Sequence, residues 1–91
     1  MPETLHILQY EYVPDIVERR AQHRKAHLQL IADYNDDGRI VIGGAVGDPP
    51  HAGLIVFRSA ADAEAFRDAD PYGAAGLVVT ASIEPWTVVT K

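Results

Sequence analysis

Arg24 and His27 are the residues of this chain whose types and spacing best fit acid–base chemistry. They lie three positions apart, so on a helix they share one side. Histidine titrates near neutral pH and is a suitable general base, while arginine can hold a carboxylate or a phenolate. A buried polar group without a partner costs roughly 2–7 kcal/mol. The pair therefore needs polar partners or a solvated cleft, unless Arg24 extends to solvent along its stem and His27 only hydrogen-bonds a carbonyl.

Asp70 is the predicted partner of His27. It ends a short predicted helix, and the following Pro71 restricts its backbone. A carboxylate beside an imidazole orients the ring and fixes its tautomer, which is the arrangement that a general base requires. The structural alternative is that Asp-Pro only terminates the helix.

A metal site is the second chemistry that the histidines suggest. His23 and His27 are four positions apart, as two zinc ligands on a helix would be. The intervening residues include Arg24 and Lys25, which would repel a metal, and the glutamate of a metalloprotease motif is missing. No clear third ligand follows, so the sequence predicts no metal site, with occasional binding by the histidine pair left open.

Composition narrows the classes of partner. The chain has 91 residues, no cysteine, 8 Lys plus Arg and 13 Asp plus Glu, for a net charge of −5. We expect neither nucleic acid nor a membrane surface as a partner, because both attract clustered basic charge. No apolar run reaches the ~20 residues of a membrane helix. The start of the chain lacks the pattern of a secretory signal, so a cytoplasmic location is expected.

The elements that must position these residues follow from the apolar patterning. It predicts strands over 5–12, 39–46, 52–58 and 77–90, and helices over 15–35 and 60–69. The order β-α-β-β-α-β is typical of the ferredoxin-like α+β fold, a four-stranded antiparallel sheet with both helices on one face. We expect one domain over residues 1–91.

The first helix contains a local contradiction. Its predicted apolar stripe consists of Val17, Ala21, Leu28 and Ile31. Arg24 lies in the middle of this stripe, and His27 and Tyr34 lie along its edge.

Several smaller features are also predicted. Gly43-Gly44 indicates a bulged strand end whose backbone lines a cavity. Residues 72–76 are expected to form a flexible loop. Pro85 is expected to interrupt the last strand. Trp86 is expected in the core or at an interface. Apolar side chains also remain on the sheet face that the helices leave open, so two copies packed sheet to sheet by two-fold symmetry are expected to cover it.

Several motifs in this order resemble the YciI-like (YCII-related) family. They are Arg24-Lys25-Ala26-His27-Leu28, Gly38, Gly43-Gly44, Gly53, Asp70-Pro71-Tyr72, Gly76 and Ile83-Glu84-Pro85-Trp86. The resemblance implies a dimeric α+β barrel with His27 and Asp70 as an active-site dyad. One branch of the family acts as a dehydrochlorinase without an organic cofactor, so none is expected here. This chain has Gly44-Ala45-Val46 where members of the family commonly have a Gly-Pro pair. The difference affects the expected wall of the cavity and leaves the dyad unchanged.

Two functional hypotheses follow. In the first, the protein is a cofactor-free lyase or isomerase acting on a small aromatic or acidic substrate. His27 and Asp70 are then catalytic, and Arg24, Gly44 and Tyr72 bind the substrate. In the second, the protein is a non-catalytic module that binds a small ligand or a protein partner, and the His–Asp pair is structural. A solvent-lined pocket at both residues favours catalysis, whereas a sealed contact favours structure.

Overall fold

Stretches rich in β-branched and aromatic residues form the strands, whose side chains alternate between the two faces of a sheet. The computed structural model describes residues 3–91. In chain order its elements are β1 (Glu3–Tyr12), α1 (Ile16–Arg19), α2 (Arg24–Asp36), β2 (Ile40–Val46), β3 (Ala52–Phe57), α3 (Ala60–Ala69), α4 (Pro71–Ala74) and β4 (Val78–Val88). The predicted succession of strands and helical segments is confirmed, but the first helical segment is divided into α1 and α2, and the short helix α4 is additional.

The sheet has the strand order β2-β3-β1-β4, and every neighbouring pair is antiparallel. With the helices on one side, this confirms the predicted α+β fold. The predicted interruption at Pro85 is wrong, because β4 continues through this residue, which pairs with His6. β4 is an edge strand, so a residue without an N–H group can lie there without removing a hydrogen bond between strands.

The single helix predicted over 15–35 is also wrong. The chain turns over residues 20–23 and forms α1 and α2 separately. In one continuous helix Arg20 and Arg24 would be neighbours four positions apart, and like charges at this spacing destabilise a helix. The chain has neither glycine nor proline in this segment, so the usual sequence signals of a break are absent.

The main core lies between the sheet and the helices α2 and α3. Its buried residues are Leu8, Tyr10, Tyr34, Ile40, Ile55, Phe57, Ala63 and Phe66. The helix α3 begins as predicted after Ser59, whose Oγ accepts a hydrogen bond of 3.2 Å from the backbone N–H of Asp62. This cap satisfies a free donor at the helix start and sets the position of the helix end that carries Asp70.

The buried face of α2 is rotated from the predicted stripe. Leu28, expected at its centre, is 44% exposed, whereas His27 and Tyr34, expected at its edge, are the buried residues of this helix. Residues seven positions apart lie on the same side of a helix. His27 therefore occupies a core position, where its ring nitrogens need partners.

The glycine pair of β2 does not form the predicted bulge. The irregularity lies between Ile40 and Ile42, and both glycines pair in regular register with β3. A close approach occurs instead at Gly53, where a Cβ would collide with the phenol of Tyr12. The absence of a side chain at position 53 thus leaves room for the Tyr12 ring on the helix side of the sheet.

The opposite face of the sheet is apolar and partly exposed. Leu5, Val56 and Val88 form a small buried cluster there. Beside it Trp86 is 45% exposed, so its predicted place in the core is wrong for this chain taken alone. Within residues 3–91, no helix has the length and apolar character needed to cross a bilayer.

Candidate active site

His27 and Asp70 meet, although they are forty-three positions apart in the chain. Nδ1 of His27 lies 2.8 Å from Oδ1 of Asp70. Both residues are buried, with exposed fractions of 6% and 2%. Apart from tyrosines, these are the two buried side chains of the described chain that carry polar atoms, and they contact each other.

Asp70 is held in place by three hydrogen-bond donors. Besides His27, the backbone N–H of Tyr72 donates to Oδ1 at 3.0 Å, and the hydroxyl of Tyr10 donates to Oδ2 at 2.9 Å. The contact with Tyr72 caps α4, which replaces the loop predicted over 72–76. With Pro71 at its first position, this short helix follows the usual preferences of a helix start.

Sequence reasoning missed Tyr10. The alternation of β1 places its side chain on the helix side of the sheet, and a buried tyrosine hydroxyl usually finds a polar partner. That signal pointed to a partner without identifying it, because sequence does not show which buried acceptor is within reach.

The contact with Asp70 determines which nitrogen of His27 is free. An ionised carboxylate accepts hydrogen bonds and cannot donate, so the proton of the neutral imidazole lies on Nδ1. Nε2 then carries the lone pair. The arrangement leaves a base on one side of the ring and a buried negative charge on the other, which would stabilise the imidazolium that forms when Nε2 takes a proton.

Aromatic side chains fix the plane of the imidazole. The Tyr72 ring stacks on it with centroids 3.7 Å apart and an interplanar angle of 7°, and Phe66 meets it edge-on at 6.4 Å. With the hydrogen bond to Asp70 these contacts restrain the orientation of the ring. A base held in this way loses little freedom when a substrate binds.

A cavity of about 320 Å³ opens beside this pair. Its lining residues are Tyr12, Arg20, Arg24, His27, Leu28, Ile31, Gly44, Ala45, Gly47, Pro50, Ile55 and Tyr72. Four of the five predicted site residues thus line one cavity, while Asp70 lies sealed behind His27. His27 thus contributes to the wall of the cavity, whereas Asp70 does not. Sequence reasoning missed Arg20 and Tyr12 as cavity residues, because the walls of a cavity depend on how elements distant in the chain pack together.

The tyrosines around the site are difficult to ionise. Burial raises the pKa of Tyr12 to about 12, and the guanidinium groups of Arg20 and Arg24 only partly oppose this effect. Burial and the neighbouring Asp70 charge raise the pKa of Tyr10 further still. Burial also raises the pKa of Tyr72. At neutral pH these phenols are therefore hydrogen-bond donors and not anions.

The raised pKa values predict a response to alkali. The ordinary pKa of a phenol is about 10. A phenol whose pKa is higher than this in the folded state stabilises the fold below about pH 10, and this stabilisation is lost as the pH rises from about 10 through the folded pKa. We expect the free energy of unfolding to be steady up to about pH 10 and to fall between about pH 10 and 12. Native protein should also show less phenolate absorbance than urea-unfolded protein at about pH 11. Coincident titration curves for the two states would contradict this prediction.

A metal is not needed to explain the arrangement of the polar side chains. Among residues 3–91 no group of three or more His, Asp or Glu side chains lies close enough together to hold an ion. His27, one of the two histidines considered as ligands, directs Nδ1 to Asp70.

Comparison with known proteins gives this geometry a context. The family of YCII-related domains matches residues 4–87. Proteins named YciI from Escherichia coli O6:H1 and from Shigella flexneri are each 32% identical to this chain over 96 aligned positions, covering 93% of it and 98% of the relative.

A solved structure extends the likeness to the fold. The 5-chloro-2-hydroxyhydroquinone dehydrochlorinase TftG of Burkholderia phenoliruptrix AC1100, in complex with 2,5-dihydroxybenzoquinone, aligns over 91% of this chain and 93% of its own, with a TM-score of 0.74 and 20% identity. At this identity the match concerns the fold. The sequence matches over nearly the full length place the chain itself in the YCII-related family.

Proposed function

We propose that this protein is a small enzyme that needs no cofactor and transfers a proton on a substrate bound beside His27. The observation that carries the proposal is the environment of the His27 ring. Nδ1 contacts a buried carboxylate at 2.8 Å, and the same residue lines the cavity. A purely structural histidine would gain nothing from access to a cavity, whereas a general base requires it.

Each side chain at the cavity has a role in this proposal. Nε2 of His27 takes a proton from a carbon or a phenolic oxygen of the substrate, and Asp70 stabilises the resulting imidazolium. The electron pair left behind moves toward a neighbouring carbonyl or expels a leaving anion. The imidazolium then returns the proton to the substrate in an isomerisation, or releases it with the leaving group in an elimination. Arg24 holds the negative charge of the substrate, while Gly44 and Tyr72 form walls of the site.

The structural neighbour supports a small ring-shaped substrate. TftG is named a dehydrochlorinase, and its structure contains 2,5-dihydroxybenzoquinone. The cavity of about 320 Å³ is near the lower end of the range for small-molecule sites, which is about 300–1,000 Å³. An elimination or isomerisation on a compact substrate is therefore the reaction class that we propose.

Proton exchange in D₂O tests the proposal with a panel of compounds, so the natural substrate need not be identified first. The protein is incubated with 5-chloro-2-hydroxyhydroquinone and with a series of small enolisable acids and ketones. Proton spectra follow the loss of exchangeable C–H signals, and an ion electrode follows the release of chloride. We expect at least one compound to react faster than in buffer. Rates equal to buffer across the whole panel would contradict the enzymatic function.

A non-catalytic binding module is the second candidate, and one observation favours it. Asp70 is sealed from solvent and caps α4. Its contact with His27 would therefore stabilise the fold even if no reaction took place in the cavity. In this case compounds of the panel would bind in the cavity but would exchange at the buffer rate. The exchange experiment therefore separates the two candidates.

We also propose that two copies pack through their open sheet faces. The exposed apolar residues Ile42, Leu54 and Trp86 lie on this face, and burial of such a patch drives association.

For location we propose the cytoplasm, since a chain without cysteine needs no oxidising compartment for disulfides.

The substitution Trp86→Glu tests the dimer. A charge in the middle of an apolar interface is costly, so the mass from light scattering should fall by about half, from dimer to monomer. Val17→Glu is the matched control, because Val17 is similarly exposed at 42% but lies on α1. A wild-type protein that is monomeric at all concentrations would contradict the proposed packing.

A further inference from the structure

Two arginines at the cavity have no acidic partner in the described chain. The ion pairs of residues 3–91 involve Arg19, Arg39, Arg58, Arg67 and Lys91. Of the lysines and arginines, this leaves Arg20, Arg24 and Lys25 without a carboxylate within 4.0 Å. Arg20 and Arg24 both line the cavity. In a protein of net charge −5, this is a local concentration of positive charge that no side chain balances.

The cavity wall contains nothing that would neutralise these charges. Its lining includes no aspartate and no glutamate. Asp70 contacts His27 behind the cavity, but it is sealed from solvent and both of its oxygens already accept hydrogen bonds. A ligand that enters the cavity therefore contacts two guanidinium groups that form no ion pair with a carboxylate of the described chain.

The position of Arg24 in its helix also opposes stability. Arg24 is the first residue of α2, the first turn of this helix has no acidic residue, and His23 gives no side-chain cap. Cations are unfavourable at this end, because the positive end of the helix dipole lies there. Arg20, at the end of α1, brings a second positive charge to the same cavity. Such departures from local preference concentrate where binding requires them, and an anion bound between the two arginines would relieve them.

We propose that the ligand of this cavity is a small organic acid whose carboxylate is bound jointly by Arg20 and Arg24. The inference rests on the proposed function and narrows its substrate class from aromatic or acidic compounds to carboxylates. Guanidinium groups match carboxylates through paired hydrogen bonds. The protonated phenols of Tyr12 and Tyr72 supply further donors. Leu28 and Ile31 form an apolar wall for the rest of the molecule.

Benzoate and its neutral analogue benzamide are the probes for this proposal. Both are titrated into wild-type protein, and amide chemical shifts measure the dissociation constants. We expect saturable binding of benzoate with shifts at the cavity residues, and binding of benzamide at least about tenfold weaker, since hydrogen bonds to charged groups are worth more than neutral ones. Binding of benzoate should also weaken as the salt concentration rises.

Arg20→Gln identifies the residue responsible. This substitution removes one guanidinium and should weaken benzoate binding about tenfold or more, whereas Arg20→Lys should retain part of the affinity. Arg19→Gln is the matched control, because it removes the same charge from the neighbouring position, where the side chain pairs with Asp15 outside the cavity. Its affinity for benzoate should be that of the wild type.

Three outcomes would overturn the inference: equal affinity for benzamide and benzoate, wild-type affinity in Arg20→Gln, or no saturable binding of benzoate. None of them would by itself disprove the proposed function, which the D₂O exchange experiment tests separately. If neutral compounds of the panel exchange with the protein as fast as the carboxylates, and Arg20→Gln leaves the rate of the carboxylates unchanged, the enzyme stands and the acid specificity fails. If benzoate binds through Arg20 but no compound exchanges, the acid-binding site stands and catalysis fails.

Discussion

Replacement of His27 by glutamine is expected to lower the rate of proton exchange on a reactive substrate by about 100- to 10,000-fold, the usual contribution of a general base. Glutamine is polar and can still donate a hydrogen bond to Asp70, so the buried carboxylate keeps a partner. It cannot accept a proton at neutral pH. The loss should therefore fall on kcat, while KM changes little, because the arginines that we propose as substrate ligands are unaffected.

His23→Gln is the control for this variant. His23 precedes α2, lies one turn before His27 and is outside the cavity lining, so its replacement should leave kcat unchanged. Unfolding curves of both variants would show that the protein remains folded. If His27→Gln retained kcat within about threefold of the wild type, the role of this residue as a general base would be wrong.

Replacement of Asp70 by alanine is expected to lower the free energy of unfolding by about 3–5 kcal/mol. The carboxylate accepts hydrogen bonds from Tyr10, His27 and the backbone of Tyr72. Its removal leaves these buried donors unpaired, and each unpaired group costs about 1–3 kcal/mol. Because small domains are stable by only about 5–15 kcal/mol, urea unfolding would detect this change readily.

Asp68→Ala is the matched control for the stability measurement. Asp68 is two positions earlier in the chain and pairs with Arg67 at the surface, with a side chain 70% exposed. Exposed pairs contribute about 0–1 kcal/mol, so its loss should be barely measurable. A decrease of less than about 1 kcal/mol in Asp70→Ala would mean that the three donors find other partners, and that Asp70 does not organise the site.

The two predictions separate the two uses of the His–Asp pair. Asp70 is buried, caps a helix and binds three donors, so its stabilising role does not depend on catalysis. His27 faces both Asp70 and the cavity, and the catalytic proposal depends on that second contact. A stable His27→Gln variant without activity, beside an unstable Asp70→Ala variant, would support a base held in place by a structural carboxylate.

Local patterns were sufficient to predict the strands and the helix over 60–69. Alternation of side chains in β1 predicts that Leu8 and Tyr10 lie on one face and Leu5 on the other, and the structure adds that the first face is the one covered by the helices. Ser59 marked the start of α3 through its hydroxyl, and Pro71 marked the end. These signals are carried by residues that are neighbours in the chain, so they act independently of the rest of the fold.

The first long helix was predicted poorly because its signals compete. Val17 and Leu28 look like core residues, but they are exposed by 42% and 44%. The turn at residues 20–23 rotates α2, so that His27 faces the core and Arg24 faces the cavity. A search for apolar residues at helical spacing assumes one continuous helix, so it does not detect such a break.

The sequence pattern was enough to predict the succession of elements and the class of fold. The pairing of His27 with Asp70 was predicted from the pattern together with the resemblance to the family. Three features emerge only when the elements pack together. Tyr10 completes the shell of Asp70, Arg20 joins Arg24 at the cavity, and the carboxylate is sealed while the imidazole borders the cavity. The physical reason is that burial and access depend on packing between elements distant in the chain, whereas side-chain spacing reports only on the element to which a residue belongs.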